Sequence, residues 1–206
     1  ALLIDGELPP LALFDKPDPL EGPTFEETIY VTPSRLDDTT QGAVIAATSN
    51  AAKAIGLAQG PVHAELRIND GGIWVIEVAA RSIGGLCGRT LKFGAGLSLE
   101  EIILRHALGL PQSDLDRGAD ASGVMMIPIP SGGVLASVGG QDAARDVPGI
   151  EDVRITIPDG QPVVPLPEGD KYLGFIFARG EDPATVEAAL RTAHAALEIK
   201  IDPAES

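Results

Sequence analysis

The stretch that decides the fold runs Gly60-Pro61-Val62-His63-Ala64-Glu65-Leu66-Arg67-Ile68, turns through Asn69-Asp70-Gly71-Gly72, and returns as Ile73-Trp74-Val75-Ile76-Glu77-Val78-Ala79. Apolar and β-branched residues recur in both arms, and Asn, Asp and Gly tolerate the positive φ of a tight connection, so a β-hairpin with arms 62–68 and 73–78 is predicted. Alternate side chains of a strand share a face. His63, Glu65 and Arg67 therefore point together on the first arm, and Val75, Glu77 and Ala79 on the second. The apolar flanks Val62, Leu66, Ile68, Trp74 and Ile76 imply that at least the opposite face is buried. Two carboxylates thus project from adjacent strands of a partly covered sheet, where they repel each other and lose hydration; protonation, an arginine or a cation must offset that cost. Oxygen-only ligation by such a pair suits Mg²⁺ or Mn²⁺, with phosphate oxygens and water completing the octahedron. The same glutamates also read as solvated face residues, cross-strand partners of Arg67, and spacing leaves both readings open.

Just past the hairpin, Arg81 precedes a glycine-rich loop, Gly84-Gly85-Leu86-Cys87-Gly88. A guanidinium there can grip phosphate or carboxylate oxygens in a fork, and loop amides add donors where glycines permit close approach. Ser98-Leu99-Glu100-Glu101 matches a capping box that opens a helix to Leu108, with Gly109 as its stop and Leu99, Ile102, Ile103 and His106 on its buried face. Upstream, Val44, Ala47, Ala51 and Ile55 recur at helical spacing, with Thr48 and Asn50 off that stripe. Before that helix, prolines at 17, 19 and 23 leave only short extended runs, Leu11 to Phe14 and Thr28 to Val31, and a long loop. Beyond Pro111 a polar stretch reads as a boundary. Five strands are expected after it (123–129, 134–138, 153–157, 161–166 and 173–178), then a helix capped by Asp182 with Pro183 in its first position and Val186, Leu190, Ala193 and Leu197 facing one way.

Composition excludes several classes. The 206 residues carry 15 Lys plus Arg against 30 Asp plus Glu, a formal charge of −15 and a pI near 4.4, so the summed field repels nucleic acid and anionic lipid. No apolar run approaches a membrane span of roughly 18–20 residues. The single cysteine, Cys87, permits no internal disulfide, and a reducing cytoplasm is the simplest compartment. No GxGxxG or GxxxxGK[ST] motif is present. His63 shares the Glu65 face and reads first as a packed or hydrogen-bonded imidazole, while His194 lies off the buried face of its helix. Lys16, between Asp15 and Asp18, reads as a solvated loop residue. The chain starts at Ala1 inside a strand-like run, Leu2-Leu3-Ile4 before Asp5-Gly6, and so is expected to be a piece of something longer.

Gly60 to Arg67, the hairpin, and Val75-Ile76-Glu77-Val78-Ala79-Ala80-Arg81-Ser82-Ile83-Gly84-Gly85 together resemble the catalytic hairpin of the ATP-grasp superfamily. Phe14-Asp15-Lys16-Pro17, Gly22-Pro23-Thr24-Phe25-Glu26-Glu27 and Thr32-Pro33-Ser34 resemble its carboxylate–amine ligase branch, which includes the L-amino acid (dipeptide) ligases. The resemblance implies ATP and Mg²⁺ (or Mn²⁺) as cofactors and an acyl-phosphate mechanism that joins a small-molecule carboxylate to an amine, such as two amino acids. It implies Glu65 and Glu77 as metal ligands and Arg81 as the residue that steadies the phosphoryl group. Gly84 and Gly85 would lie beside substrate or nucleotide, Ile76 would pack on adenine and Glu27 would reach the incoming amine. Ile76 lies on the wrong strand face for that role unless the strand bulges. The superfamily's usual Asn two residues after the second acid is Ala79 here, and the N-terminal lobes of the clasp, with their phosphate-binding lysines, do not lie in this sequence.

The expected fold class is α/β (α+β). Residues 1–118 would form the C-terminal lobe of an ATP-grasp domain, an antiparallel sheet backed by helices near 40–55 and 98–108, and residues 119–206 a smaller strand-rich α+β domain. The expected function is that of a fragment of an ATP-dependent ligase, inactive alone. The alternatives are a biotin carboxylase- or carbamoyl-phosphate synthetase-like enzyme and a noncatalytic binding or dimerisation module. A homodimer is compatible with either.

Overall fold

A computed structural model of the chain describes residues 1–18, 28–111 and 115–203. In chain order the elements are β1 (Leu2–Leu3), β2 (Ile29–Thr32), α1 (Asp38–Ala54), β3 (Gly60–Pro61), β4 (His63–Asn69), β5 (Gly72–Ala79), a 3-10 turn (Cys87–Thr90) and α2 (Leu99–Ala107). They continue with β6 (Ala121–Ile127), β7 (Gly133–Gly139), α3 (Gln141–Arg145), β8 (Ile150–Ile155), β9 (Pro162–Val163), β10 (Gly174–Gly180), α4 (Pro183–Ala195) and β11 (Glu198–Asp202). All strand pairs among them are antiparallel, giving the mixed α/β architecture with antiparallel sheets that the sequence predicts. Among the described residues no helix is long and apolar enough to cross a membrane.

The chain divides into two compact units, Ala1–Leu13 with Ser34–Ala119, and Phe14–Pro33 with Asp120–Ser206. By contact, the segment 14–33 groups with residues 120–206. The reason is β2, all four of whose residues are buried. It completes an edge of the second unit's sheet by pairing with β6, Ile29 opposite Met125 and Val31 opposite Gly123, so that its backbone groups gain ladder partners and its apolar side chains a core.

In the first unit, α1 begins where the Asp37 carboxylate accepts the Thr40 N–H at 2.9 Å. Its buried positions are Thr48 and Ala52, whereas Ile55 is 59% exposed, so the expected stripe 44-47-51-55 is not the one that packs. Ala, Thr, Ser and Gly on every side leave α1 weakly amphipathic. Tertiary contact then chooses the face, and small Ala52 sits in a core with Leu3, Leu8 and Val62, against which Val78 of β5 packs. Thr48 offsets its burial by donating to the Val44 carbonyl at 2.9 Å. In α2 the Ser98 hydroxyl accepts the Glu101 N–H, and Leu99 and Ile102 are buried.

In the second unit, β2-β6-β10-β8 form a four-stranded sheet with α3 and α4 on one face, and β11-β7-β9 form a three-stranded one. Gly123 lets α4 approach: a Cβ there would lie 2.8 Å from the Tyr30 carbonyl oxygen and 2.9 Å from Val186 Cγ1. The Asp182 cap, Pro183 and the buried Val186, Leu190 and Ala193 match the sequence reading of α4. The short α3 and the strand β11 do not appear in that reading. In β11 the alternation Glu198-Ile199-Lys200-Ile201-Asp202 is present in the sequence, and it becomes a strand because β7 offers it an edge.

Candidate active site

The β4–β5 hairpin connects through Asn69 to Gly72 as predicted, and Glu65 lies directly opposite Glu77. Directly paired residues share a face, so the two carboxylates project to the same side. The register then slips: Leu66 pairs with Val75, which leaves Ile76 as an extra residue on β5. This bulge re-phases the second arm. Trp74, not Val75, now opposes Arg67, so Trp74 rather than Val75 shares the face of Glu77 and Ala79, which corrects the simple alternation. Ile76, the residue without a partner, is 65% exposed, and Ile68, Trp74 and Val75 are exposed as well. The expectation of a buried apolar face along the whole hairpin therefore fails; only the end nearest α1 is covered, through Val78.

Arg81 bends back onto this end of the hairpin. Its Nη2 donates to Glu77 Oε1 at 2.9 Å, while Nη1 donates to the Ser82 carbonyl at 3.1 Å and lies 3.2 Å from His63 Nδ1. A guanidinium only donates, so this contact is a hydrogen bond when His63 Nδ1 carries the ring lone pair and Nε2 the proton; Nε2 lies 3.9 Å from Glu65 Oε1. Glu65, His63, Arg81 and Glu77 thus form one continuous cluster, with side-chain exposure rising from 11% at His63 through 24% at Glu65 to about half at Glu77 and Arg81. An ion pair this open contributes about 0–1 kcal/mol. Its consequence is geometric: the ion-pair partner of Glu77 is Arg81, not the Arg67 of the alternative reading.

The donor set fits a hard divalent cation. Among the described residues Glu77 is engaged through Oε1 alone, so Oε2 remains for a metal, and Glu65 faces it across the ladder. Among the described residues no group of three His, Cys, Asp or Glu side chains makes a protein-only cage. Two carboxylates suit Mg²⁺, which usually keeps water and substrate oxygens in its shell.

Past Arg81, Gly85 has φ of 60° and Leu86 of 55°, left-handed conformations that glycine adopts freely and leucine does not. Gly84 differs. A Cβ built there meets nothing within 4 Å, so no packing demands a glycine at that position and the backbone is open to approach. Cys87 is buried in the 3-10 turn that follows.

Glu27 lies outside the described residues. The residues on either side of its segment are tied together: Thr28 Oγ1 donates to Asp18 Oδ2 at 2.5 Å, and Arg191 Nη2 to Asp18 Oδ1 at 2.5 Å. Burial pushes the Asp18 carboxyl up, but the hydrogen bonds from Thr28 and Arg191 and the Arg191 charge outweigh it and hold the group below its usual range. Sequence reasoning misses this clasp, since Asp18 and Arg191 are 173 positions apart. It also misses the contact of His63 with Arg81, although the shared face of His63 and Glu65 was visible. Lys16, read as a solvated loop residue, lies over the Tyr30 ring, 5.2 Å from its centroid.

The family model described as "ATP-grasp domain" matches residues 4–90, and "L-amino acid ligase C-terminal domain 2" matches residues 125–202. The L-amino acid ligase from Bacillus licheniformis superposes with a TM-score of 0.85 and 29% identity, over 98% of this chain and 50% of that one. The alanine–anticapsin ligase of Bacillus subtilis is 31% identical over 120 residues, 57% of this chain and 24% of the relative. The biotin carboxylase of Campylobacter jejuni, solved as a beta-gamma-ATP complex, is similar in fold alone, with a TM-score of 0.60 and 20% identity over 86% of this chain and 40% of that one. The chain spans about a quarter of the curated ligase's length and half of the solved one's.

Proposed function

We propose that this chain is part of an ATP-grasp carboxylate–amine ligase and supplies the metal-binding hairpin and C-terminal domain of an enzyme that joins two amino acids at the expense of ATP. The observation that carries this is the pairing of Glu65 with Glu77 across the hairpin, with Arg81 held against the second carboxylate. The reaction has two steps. The carboxylate of one amino acid takes up the γ-phosphoryl group of ATP, releasing ADP and forming an acyl phosphate; the amine of the second then attacks the acyl carbon, and inorganic phosphate and a proton leave.

Glu65 and Glu77 would hold Mg²⁺ or Mn²⁺, which would offset phosphate charge. Arg81 gives its remaining N–H donors to the transferred phosphoryl group or to the acyl phosphate, an interaction that strengthens as charge develops. The open backbone at Gly84 and the left-handed turn at Gly85 let loop amides approach the substrate. Ile76, carried outward by the bulge, offers an apolar surface to adenine. Glu27 receives the incoming amine. The biotin carboxylase-like alternative rests on likeness of fold alone, whereas the match over residues 125–202 favours the ligase branch.

The test is ATP hydrolysis stimulated by pairs of amino acids, in the longest natural polypeptide carrying this sequence and in its Glu65→Gln and Glu77→Gln variants. Stimulated turnover in the wild type and a loss in each variant of about 100-fold, the upper end of what loss of a partner to a metal ligand costs, are expected. No stimulation in the wild type, or wild-type rates in both variants, overturns the reading.

A further inference from the structure

We propose that His63 is a positioning residue that aims the Arg81 guanidinium, by accepting one of its N–H donors at Nδ1. The inference rests on the ligase reading for what Arg81 then does, but the contact itself does not depend on it. An arginine head that is half exposed has several rotamers of similar energy, and ordering it costs up to about 2 kcal/mol of side-chain entropy. Here it is fixed by three acceptors, Glu77 Oε1, the Ser82 carbonyl oxygen and His63 Nδ1.

These three are not equivalent. The Ser82 carbonyl belongs to the residue next in sequence and moves with the loop. Glu77 is nearly half exposed and is the same carboxylate that a bound cation would draw on. His63 has neither weakness. Its ring is the least exposed of the four side chains, it stands on β4 opposite the small Ala79, and its Nδ1 lone pair makes no demand on a metal. The tautomer that this contact requires directs the Nε2–H towards Glu65 Oε1, at 3.9 Å beyond hydrogen-bond length but with a favourable dipole. One imidazole therefore ties the arginine to the strand that carries the first carboxylate, and fixes the distance between phosphoryl-holding and metal-holding groups. Removing it leaves substrate binding largely intact and costs transition-state stabilisation, because Arg81 is then free to sample unproductive orientations.

The experiment compares His63→Leu, which deletes the acceptor, with His63→Asn, which returns an oxygen near the Nδ1 position, alongside the Glu65→Gln and Glu77→Gln variants of the same polypeptide. His63→Leu is expected to lower kcat about 10- to 100-fold, the equivalent of one hydrogen bond to a charged group, with KM for ATP changed less than about threefold. His63→Asn recovers most of the loss. A second readout needs no turnover: with histidine labelled by ¹⁵N, and the His63 signals assigned by their absence in His63→Asn, the wild-type ring at about pH 8 is expected to be the Nε2–H tautomer, and Arg81→Leu to release it to a tautomer mixture. A ring protonated at Nδ1, or a spectrum indifferent to Arg81→Leu, overturns the proposal, and this arm decides even if His63→Leu does not fold. Dead Glu65→Gln and Glu77→Gln variants beside a fully active His63→Leu reject the role of His63 and leave the ligase reading standing. Wild-type rates in all of them reject the ligase reading, while the tautomer still reports whether the contact exists.

Discussion

Replacing Asp18 with Asn removes a charge from the clasp that ties residue 18 to residue 28 and to α4. In the folded protein Asp18 accepts one hydrogen bond from the Thr28 hydroxyl and one from Arg191, which also contacts Glu187 Oε1 in the preceding turn of its helix. A hydrogen bond between charged groups is worth about 1.5–3 kcal/mol when buried and a surface pair about 0–1 kcal/mol. Asp18 is about 30% exposed, so the value falls between, near 1 kcal/mol. In a chain of this size that lowers Tm by about 2–4 °C. Protonation supplies the sign check. Because the folded-state pKa of Asp18 is lowered, the unfolded chain binds the proton more readily; the contribution is complete above the ordinary carboxylate pKa of about 3.9 and is lost as pH falls through that value and on to the folded one. Thermal unfolding of wild type and Asp18→Asn, followed by circular dichroism at about pH 7 and about pH 2.5, is expected to show the Tm difference at neutral pH and its collapse in acid. An equal difference at both pH values, or none at neutral pH, refutes the assignment of the stabilisation to the Asp18 carboxylate.

Gly123→Ala drives a methyl group into the Tyr30 carbonyl and Val186, and denaturant unfolding is expected to show a loss of about 1–3 kcal/mol; a neutral result means that α4 moves away without cost. Gly84→Ala meets no atom within 4 Å and is expected to leave Tm within about 2 °C while lowering amino-acid-dependent ATP hydrolysis, so unchanged turnover argues against backbone approach at that position. The half-buried His194 has its pKa lowered by burial, so the folded chain resists protonation and stability falls as pH drops below about 6.5; His194→Gln is expected to flatten that part of the stability profile measured by urea unfolding.

Local chemistry carries much of this molecule. The Asn-Asp-Gly-Gly connection favours a tight hairpin, Ser98 and Asp182 start their helices by satisfying their own helix amides, and short apolar runs mark the central strands of the second unit while strict alternation marks β11. Those signals act over a few residues and are legible in a string of letters. The pairing of Glu65 with Glu77 is nearly so, because a short turn leaves little freedom of register. What letters leave open is the slip that ejects Ile76. One extra residue in the eight of β5 changes which side chains accompany Glu77, and nothing in Trp74-Val75-Ile76 announces it.

Burial is decided at longer range. The Ala-rich α1 presents a face only because Val78 and Leu3 wait for it, and β2 joins the second unit because β6 needs a neighbour, a choice made across some ninety intervening positions. The same holds for Asp18 with Arg191 and for His63 with Arg81, where an acceptor is useful only once a donor has been folded against it. The sequence by itself determined the hairpin, its two acids, the arginine and the class of fold, because each is written in neighbouring residues. Tertiary structure alone decided how the arginine is held and which unit the early segment joins, because hydrogen bonds and apolar contacts between distant residues have no energy until the chain has closed the distance.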